Sequence, residues 1–169
     1  MGDSIKNEIY QVRITINDIA CSSLDDVRKV APQSVWEFIA EFLDDKPYIM
    51  AHTSGSTGKP KPISLAKSDM KASARFTNRF FGLTSQSTLH LCLSPDYIAG
   101  KMMLVRALES GANIVIEEPG NRPLANYQGS RISLAAFVPS QIPYLVQNPD
   151  RLAMVDAMIV GGGKLVTRW

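Results

Sequence analysis

Short apolar runs alternate with longer helical segments along most of this chain of 169 residues. The runs with the length of strands cover residues 48–51, 88–93, 113–117, 132–138 and 156–160. Segments with helical length separate several of them, at residues 68–81, 98–110 and 141–147. Strands that alternate with helices form βαβ units, whose parallel strands are covered by helices. The sequence therefore predicts an α/β fold, with a mostly parallel sheet and flanking helices in one domain over residues 1–169.

The first half of the chain carries three further patterns. Residues 12–16 alternate between apolar and polar side chains, which is typical of a half-buried strand, and residues 63–65 form a short extended piece. Residues 24–45 have the apolar spacing of an amphipathic helix, with a start at Ala31-Pro32.

Helix ends are also marked in the sequence. Ser68 or Asp69 is expected to cap the helix over residues 68–81, because short polar side chains bind the free amides of a first turn. Gly82 and Gly111 are expected to end their helices, because glycine adopts the left-handed conformation without a steric cost.

Composition and charge exclude several classes of protein. A hydrophobic content of 45% and a net charge of +2 give no reason to expect nucleic acid or a membrane as a partner. No run approaches 18 apolar residues, and the N-terminus lacks the pattern of a signal peptide. Cys21 and Cys92 have no metal-like spacing, so we expect two free thiols, no metal site and a cytoplasmic protein.

One loop has the chemistry of a phosphate-binding site. It reads Thr53-Ser54-Gly55-Ser56-Thr57-Gly58-Lys59-Pro60-Lys61. The two glycines let successive backbone N–H groups converge, while the hydroxyl groups and the two lysines add donors and positive charge. The loop is not a Walker A motif, which would need glycine at position 53 and serine or threonine at position 60. A flexible surface loop rich in serine and glycine is the simpler alternative.

The loop resembles, at every fixed position, the phosphate loop T-S-G-[ST]-T-G-x-P-K of the adenylate-forming (acyl-CoA synthetase, AMP-binding) superfamily. The family normally has glycine after the last lysine, where this chain has Pro62. Other segments from about residue 34 to 165 also look like this family. Those segments are Ser94-Pro95-Asp96-Tyr97-Ile98-Ala99-Gly100, Val138-Pro139-Ser140-Gln141 and Ile159-Val160-Gly161-Gly162-Gly163. Together they look most like the compact o-succinylbenzoate–CoA ligases of menaquinone synthesis.

The resemblance implies a ligase that uses ATP, Mg²⁺ and coenzyme A on a small carboxylic acid. The carboxylate attacks the α-phosphate of ATP and releases pyrophosphate, and the CoA thiol then displaces AMP. Phosphate or nucleotide contacts are expected from Thr53, Ser54, Gly55, Ser56, Thr57, Gly58, Lys59, Lys61, Gly161, Gly162 and Gly163. Lysine at the exit of the loop, as at Lys61, is also often only solvated. No catalytic residue can be named.

Candidate acid-binding residues follow the predicted strands at 88–93 and 132–138. Tyr97 is either a wall of the acid pocket or a packing residue, and Gln141 either contacts the acid or caps a helix. Lys101 and Arg106 are candidate partners for a second carboxylate of the substrate, with Lys101 preferred. The alternative for both cations is the outer face of an amphipathic helix.

The two histidines are read as core residues. His52 adjoins the phosphate loop and has phosphate contact as its second interpretation, whereas His90 lies inside a predicted strand. In open parallel sheets, ligands gather at the carboxyl ends of the strands. The phosphate loop, residues 94–97, residues 138–141 and the glycines 161–163 all follow predicted strands, so we expect them to converge on one edge.

The family's Y-G-x-T-E segment and its late lysine domain are missing from these 169 residues. We therefore expect an N-terminal portion that does not form a thioester by itself, and that self-associates through an uncovered sheet edge. Two other functions stay open: an inactive nucleotide- or anion-binding module, and an enzyme that adenylates another aryl or fatty acid.

Overall fold

The computed structural model describes residues 12–52, 59 and 61–161. The first half of this range contains β1 (Ile14–Ile16), β2 (Ile19–Cys21), α1 (Leu24–Val30), α2 (Gln33–Leu43), β3 (Tyr48–His52), β4 (Pro62–Ala66) and α3 (Lys67–Phe80). The second half contains β5 (Thr88–Leu91), α4 (Ile98–Ser110), β6 (Asn113–Ile116), β7 (Leu134–Phe137), a 3₁₀ turn (Pro139–Gln141), α5 (Ile142–Gln147), α6 (Pro149–Leu152) and β8 (Met158–Val160).

Six strands form the main sheet in the order β2-β1-β6-β5-β7-β8. Every neighbouring pair is parallel except β1 and β2, which form an antiparallel hairpin at one edge. The predicted α/β fold with a mostly parallel sheet is therefore confirmed. The sequence analysis missed β2, whose three residues are too few to show a pattern.

Strand β7 shows how the sheet is covered. Leu134 and Ala136 join the larger core cluster, which includes α2 and α4. Ala135 and Phe137 join a second cluster with Leu124, Ile132 and Leu145 on the opposite face. A central parallel strand is buried on both faces, so its sequence is a continuous apolar run rather than an alternation.

The strand before the phosphate loop is not part of the main sheet. β3 pairs with β4 in an antiparallel hairpin, with His52 opposite Pro62. A connection of nine residues is long enough for a hairpin, whereas parallel pairing needs a crossover of about a dozen residues or more. The prediction of a parallel strand at residues 48–51 was therefore wrong.

Two predicted helix boundaries also differ. The segment 24–45 is two helices, because Ala31 is extended (φ −116°, ψ 154°), as the residue before a proline usually is. α3 begins at Lys67 rather than after a Ser68 or Asp69 cap, and its N-cap residue Ala66 makes no side-chain capping bond. The Lys67 amide is instead bound by the carbonyl of Pro47 (2.9 Å).

The predicted helix ends at two glycines and the two free thiols are confirmed. Gly82 (φ +63°) and Gly111 (φ +75°) follow α3 and α4 in the left-handed conformation. Cys21 and Cys92 are free thiols, and both are buried. Among the described helices, none combines the length and the apolar character needed to cross a membrane.

Candidate functional site

A cavity of about 930 Å³ opens at the carboxyl ends of β5, β7 and β8. This main cavity receives residues from three of the segments that were expected to converge, at 94–97, at 138–141 and at Gly161. His52, at the end of β3, also lines it. Within the described residues the convergence on one edge is confirmed, although the hairpin strand reaches that edge from outside the sheet. The other lining residues are Cys92, Leu93, Ile98, Ala99, Met102, Arg106, Pro119, Gly120, Asn121, Ala136 and Phe137, with Ile159.

The main cavity is mostly apolar. Its floor is formed by the ends of β5 and β7, and one wall by the side chains of Ile98 and Met102 on α4. Among the described residues that line it, Arg106 is a cation and His52 carries an imidazole ring, and none is an aspartate, a glutamate or a lysine. Pockets of this size with few polar groups are the usual form of a small-molecule site.

Gly100 explains how the turn Ser94–Tyr97 is held against α4. A Cβ atom at this position would lie 2.3 Å from the carbonyl oxygen of Ser94, so only glycine fits without a backbone shift. The Tyr97 amide also donates to that carbonyl of Ser94 (3.2 Å). The close approach fixes Ser94 and Tyr97 in the cavity wall. Tyr97 is 55% exposed there, which makes it a wall residue rather than a packing residue.

Lys101 does not reach the main cavity. Its side chain is buried, and its ammonium donates to the carbonyl of Pro95 (2.7 Å) and lies 5.0 Å from the ring centroid of Phe38. Burial lowers the pKa of Lys101, while the charges of Glu41 and Asp96 oppose that shift. Both interpretations of this residue were wrong, since it is neither a cavity cation nor on an outer helix face. The reason is that α4 is buried on most of its surface, so helical spacing shows no outer face here.

Arg106 is the cation that lines the cavity. It lies on α4 and is partly buried, and burial lowers its pKa, although an arginine remains protonated in proteins. Its Nη1 contacts the sulfur of Met103 (3.3 Å), a weak acceptor, and no residue that the structure describes bonds to its buried Nε. No described carboxylate forms an ion pair with it.

Gln141 is buried beneath the main cavity, where its side chain bonds to backbone groups. Its amide nitrogen donates to the carbonyls of Cys92 (2.9 Å) and Gly120 (2.8 Å). Its Oε1 accepts from the amide of Val138 (3.1 Å). These three bonds join three segments that line the cavity. Gln141 thus supports the walls, and contact with the acid stays a prediction.

His52 and His90 have different environments. His52 is exposed and lines the main cavity, so its interpretation as a core residue was wrong. His90 is fully buried in β5, as predicted, and its Nε2 lies 2.6 Å from the carboxylate of Glu117. Glu117 directly follows β6 and was missed by the sequence analysis. An acidic residue at the carboxyl end of a predicted parallel strand was the signal that could have found it.

The phosphate loop falls mostly outside the described residues. That applies to Thr53, Ser54, Gly55, Ser56, Thr57 and Gly58, and likewise to Gly162 and Gly163. Lys59 and Lys61 are described and exposed. Gly161 lines the main cavity, and its amide donates to the carbonyl of Phe137 (3.2 Å). In the described ranges, no three side chains of His, Cys, Asp or Glu gather as metal ligands would.

Comparison with known proteins identifies the family. Residues 6–168 match the family model described as AMP-binding enzyme. The chain therefore belongs to the family of AMP-binding, adenylate-forming enzymes.

The similar curated proteins include two 2-succinylbenzoate–CoA ligases and a tyrocidine synthase. The 2-succinylbenzoate–CoA ligase of Enterococcus faecalis is 30% identical over 120 residues, which cover 68% of this chain and 24% of that protein. A probable 2-succinylbenzoate–CoA ligase of Mycobacterium tuberculosis is 28% identical over 137 residues, covering 74% of this chain and 35% of that protein. Tyrocidine synthase 1 of Brevibacillus parabrevis is 26% identical over 134 residues, covering 74% and 12%. The chain spans about a third or less of the length of these relatives.

Solved structures share the fold. An acyl-CoA synthetase (AMP-forming)/AMP-acid ligase II-like protein of Dyadobacter fermentans has a TM-score of 0.69 and 30% identity, covering 79% of this chain and 39% of that chain. An o-succinylbenzoate CoA synthetase of Bacillus subtilis, in complex with the acyl-adenylate intermediate, has a TM-score of 0.53 and 21% identity, covering 68% and 24%. The second likeness supports the fold alone.

Proposed function

We propose that this chain forms the acid-binding part of an ATP-dependent acid–thiol ligase, and that the acid is an aromatic dicarboxylate such as o-succinylbenzoate. One carboxylate of the acid would attack the α-phosphate of ATP, giving an acyl-adenylate and pyrophosphate. The thiol of coenzyme A would then attack the acyl carbon, and the bond to AMP would break. Two similar relatives are named as ligases for this acid.

The observation that carries the substrate class is Arg106 in an apolar cavity. A partly buried guanidinium without a carboxylate partner is unfavourable, because it has lost part of its hydration. A second carboxylate on the substrate would supply the missing acceptors, and a planar guanidinium matches a carboxylate well. An aromatic ring would occupy the apolar part of the cavity. A simple fatty acid would leave the charge of Arg106 without a partner.

Amino-acid substrates, as in the peptide synthetase relatives, fit this cavity less well. The ammonium group of an amino acid needs a carboxylate partner when it is buried. Among the described residues that line the main cavity there is no aspartate or glutamate. The arginine therefore favours an acid with a second negative group.

ATP, Mg²⁺ and coenzyme A belong to the same proposal. The residues from Thr53 to Gly58, with Lys59 and Lys61, have the donors and charge to hold the phosphates of ATP. Gly161 to Gly163 would border the nucleotide. We assign Mg²⁺ no ligand among the described residues. Self-association and a cytoplasmic location also stay predictions.

The first test compares two acids that differ by one carboxylate. We expect o-succinylbenzoate to bind this chain about 10- to 100-fold more tightly than 4-oxo-4-phenylbutanoate, because a hydrogen-bonded charge pair contributes about 1.5–3 kcal/mol. Arg106→Gln should remove this difference, as measured by isothermal titration calorimetry. Arg79→Gln removes an exposed arginine from α3 and should leave the difference intact.

Equal affinity of the wild-type chain for both acids would contradict the proposed substrate class. Activity is tested separately, by ATP–pyrophosphate exchange with the gene product at its natural length. Exchange that depends on o-succinylbenzoate would support the ligase. No exchange with any aryl, fatty or amino acid would favour a binding module without catalysis.

A further inference from the structure

Buried His90 and partly buried Glu117 form a pair behind one wall of the main cavity. His90 is 0% exposed, and its Nε2 lies 2.6 Å from Oε2 of Glu117. The same Oε2 accepts the backbone amide of Leu124 (2.9 Å). One carboxylate oxygen therefore joins the end of β6 to strand β5 and to a residue seven positions further along the chain.

The protonation of the pair follows from its surroundings. Burial by itself raises the pKa of Glu117, but the hydrogen bonds from His90 and Leu124 and the charge of His90 outweigh burial, so the pKa lies below its usual value. An ionised carboxylate can only accept, so Nε2 of His90 must carry the hydrogen. Nδ1 of His90 is buried, and none of the described residues bonds to it.

The segment between Glu117 and Leu124 forms cavity walls. Pro119, Gly120 and Asn121 line the main cavity. The other side of the segment faces a second cavity of about 520 Å³, which Glu117 and Glu118 line together with Arg122. Gly120 and Asn121 line both cavities, so the wall between them is one chain segment thick. Residues 118–122 are exposed, so packing does little to fix this part of the segment.

The segment ends in an unfavourable backbone conformation. Leu124 is fully buried with φ +64°, a value that leucine rarely adopts. Its bond to Glu117 offsets part of that cost, because it satisfies a buried amide. Further side-chain bonds to the segment come from Gln141 to the carbonyl of Gly120 (2.8 Å) and from the Cys92 thiol to the carbonyl of Glu118 (3.2 Å). The guanidinium of Arg151 donates to the carbonyl of Leu124 (3.4 Å), while Glu117 binds the amide of that same residue.

We propose that Glu117, oriented by His90, is a positioning residue that holds residues 119–124 as a preformed wall for the acid. This inference rests on the proposed acid-binding function of the main cavity. A wall that is ordered before binding removes an entropy cost from binding. The side chain of Glu117 lines only the second cavity, so it acts on the acid through the wall.

Three variants separate this role from simple loss of charge. Glu117→Ala removes the acceptor for both Leu124 and His90. Glu117→Gln keeps an oxygen that can accept both hydrogen bonds while removing the charge. Glu118→Ala is the matched control, because Glu118 is the next residue and its carboxylate makes no hydrogen bond with the described residues.

Two readouts are measured well below the unfolding midpoint of each variant. Amide hydrogen exchange over residues 118–124, without ligand, reports the order of the wall. Titration with o-succinylbenzoate and with 4-oxo-4-phenylbutanoate reports binding. We expect Glu117→Ala to speed exchange in this segment and to weaken both acids about tenfold, because disorder of the wall affects every occupant. Glu117→Gln and Glu118→Ala should stay within about threefold of wild type for both acids.

The two proposals fail in distinguishable ways. If the wild-type chain binds neither acid, the proposed function fails, and faster exchange in Glu117→Ala alone would still support the ordered wall. If Glu117→Ala and Glu118→Ala show the same exchange and the same affinities, the positioning role is overturned. If Glu117→Gln binds the acids as weakly as Glu117→Ala does, the charge of Glu117 matters rather than its hydrogen bonds to the wall. That result also overturns the positioning role. Of the variants proposed for this cavity, we expect only Arg106→Gln to remove the difference in affinity between the two acids.

Discussion

Lys101 and Arg106 lie five residues apart on α4, and the protein uses their charges in opposite ways. The ammonium of Lys101 has a protein acceptor at 2.7 Å and an aromatic ring beneath it. Among the described residues, the guanidinium of Arg106 contacts a sulfur atom, and none of them bonds to its buried Nε. A charge with protein partners stabilises a local structure, whereas a charge without them is available to a ligand. The comparison separates the part of α4 that supports the site from the part that faces it.

The supporting part is Gly100 and Lys101 with the turn Ser94–Tyr97. Gly100 permits the close approach of the two backbones, and Lys101 donates across the same gap to Pro95. The part that faces the cavity is Ile98, Met102 and Arg106, which follow one another at intervals of one helical turn. The predictions below test whether the two parts are as separate as this geometry indicates.

The largest effect on stability is expected from Gly100→Ala. The new Cβ would lie 2.3 Å from the carbonyl oxygen of Ser94 and 2.8 Å from its carbon, and both are backbone atoms that cannot rotate away. Forcing the two segments apart should lower the free energy of unfolding by about 3 kcal/mol. Urea denaturation followed by circular dichroism measures it. Gly161→Ala is the matched control, because a Cβ there meets nothing within 4 Å, and it should change stability by less than about 0.5 kcal/mol.

Lys101→Met should have the next largest effect. Methionine fills a similar volume but cannot donate, so the carbonyl of Pro95 loses its partner in a buried place. We expect the free energy of unfolding to fall by about 1–3 kcal/mol. Tryptophan fluorescence during urea denaturation gives the value. Stability equal to wild type would mean that Lys101 does not hold the turn. Lys101 would then not be a structural charge that differs in role from Arg106.

Most of the fold could be predicted from the sequence, but the different roles of Lys101 and Arg106 could be predicted only in part. Strands β5, β6 and β7 are apolar runs bounded by turn residues, and such patterns depend on the local chain alone. Pairing is a property of two segments, which is why β3 was assigned to the wrong sheet. The short β2 strand is formed by its partner β1 rather than by its own composition.

Some site residues could likewise be predicted from the local sequence, and others could not. Tyr97 was found in the cavity wall because it follows a parallel strand, and that rule is topological. The choice between Lys101 and Arg106 depends on which side of a buried helix faces Phe38 and which faces the cavity. A helix buried on most sides has no polar stripe from which that orientation can be read. Glu117 was missed because its role depends on His90 and Leu124, which are distant in sequence.

Arg106→Met provides the smallest stability change and the sharpest test of the contrast. Because Arg106 is partly buried and its Nε is unbonded, removing the charge takes away an unfavourable group, while the methionine side chain keeps most of the packing. We expect the free energy of unfolding to stay the same or to rise by about 1 kcal/mol at most. The measurement is urea denaturation beside Lys101→Met, with the same loss of one positive charge in both variants. A loss as large as that of Lys101→Met would show that Arg106 supports the fold through protein contacts. The charge in the cavity would then no longer be evidence for a second carboxylate on the substrate.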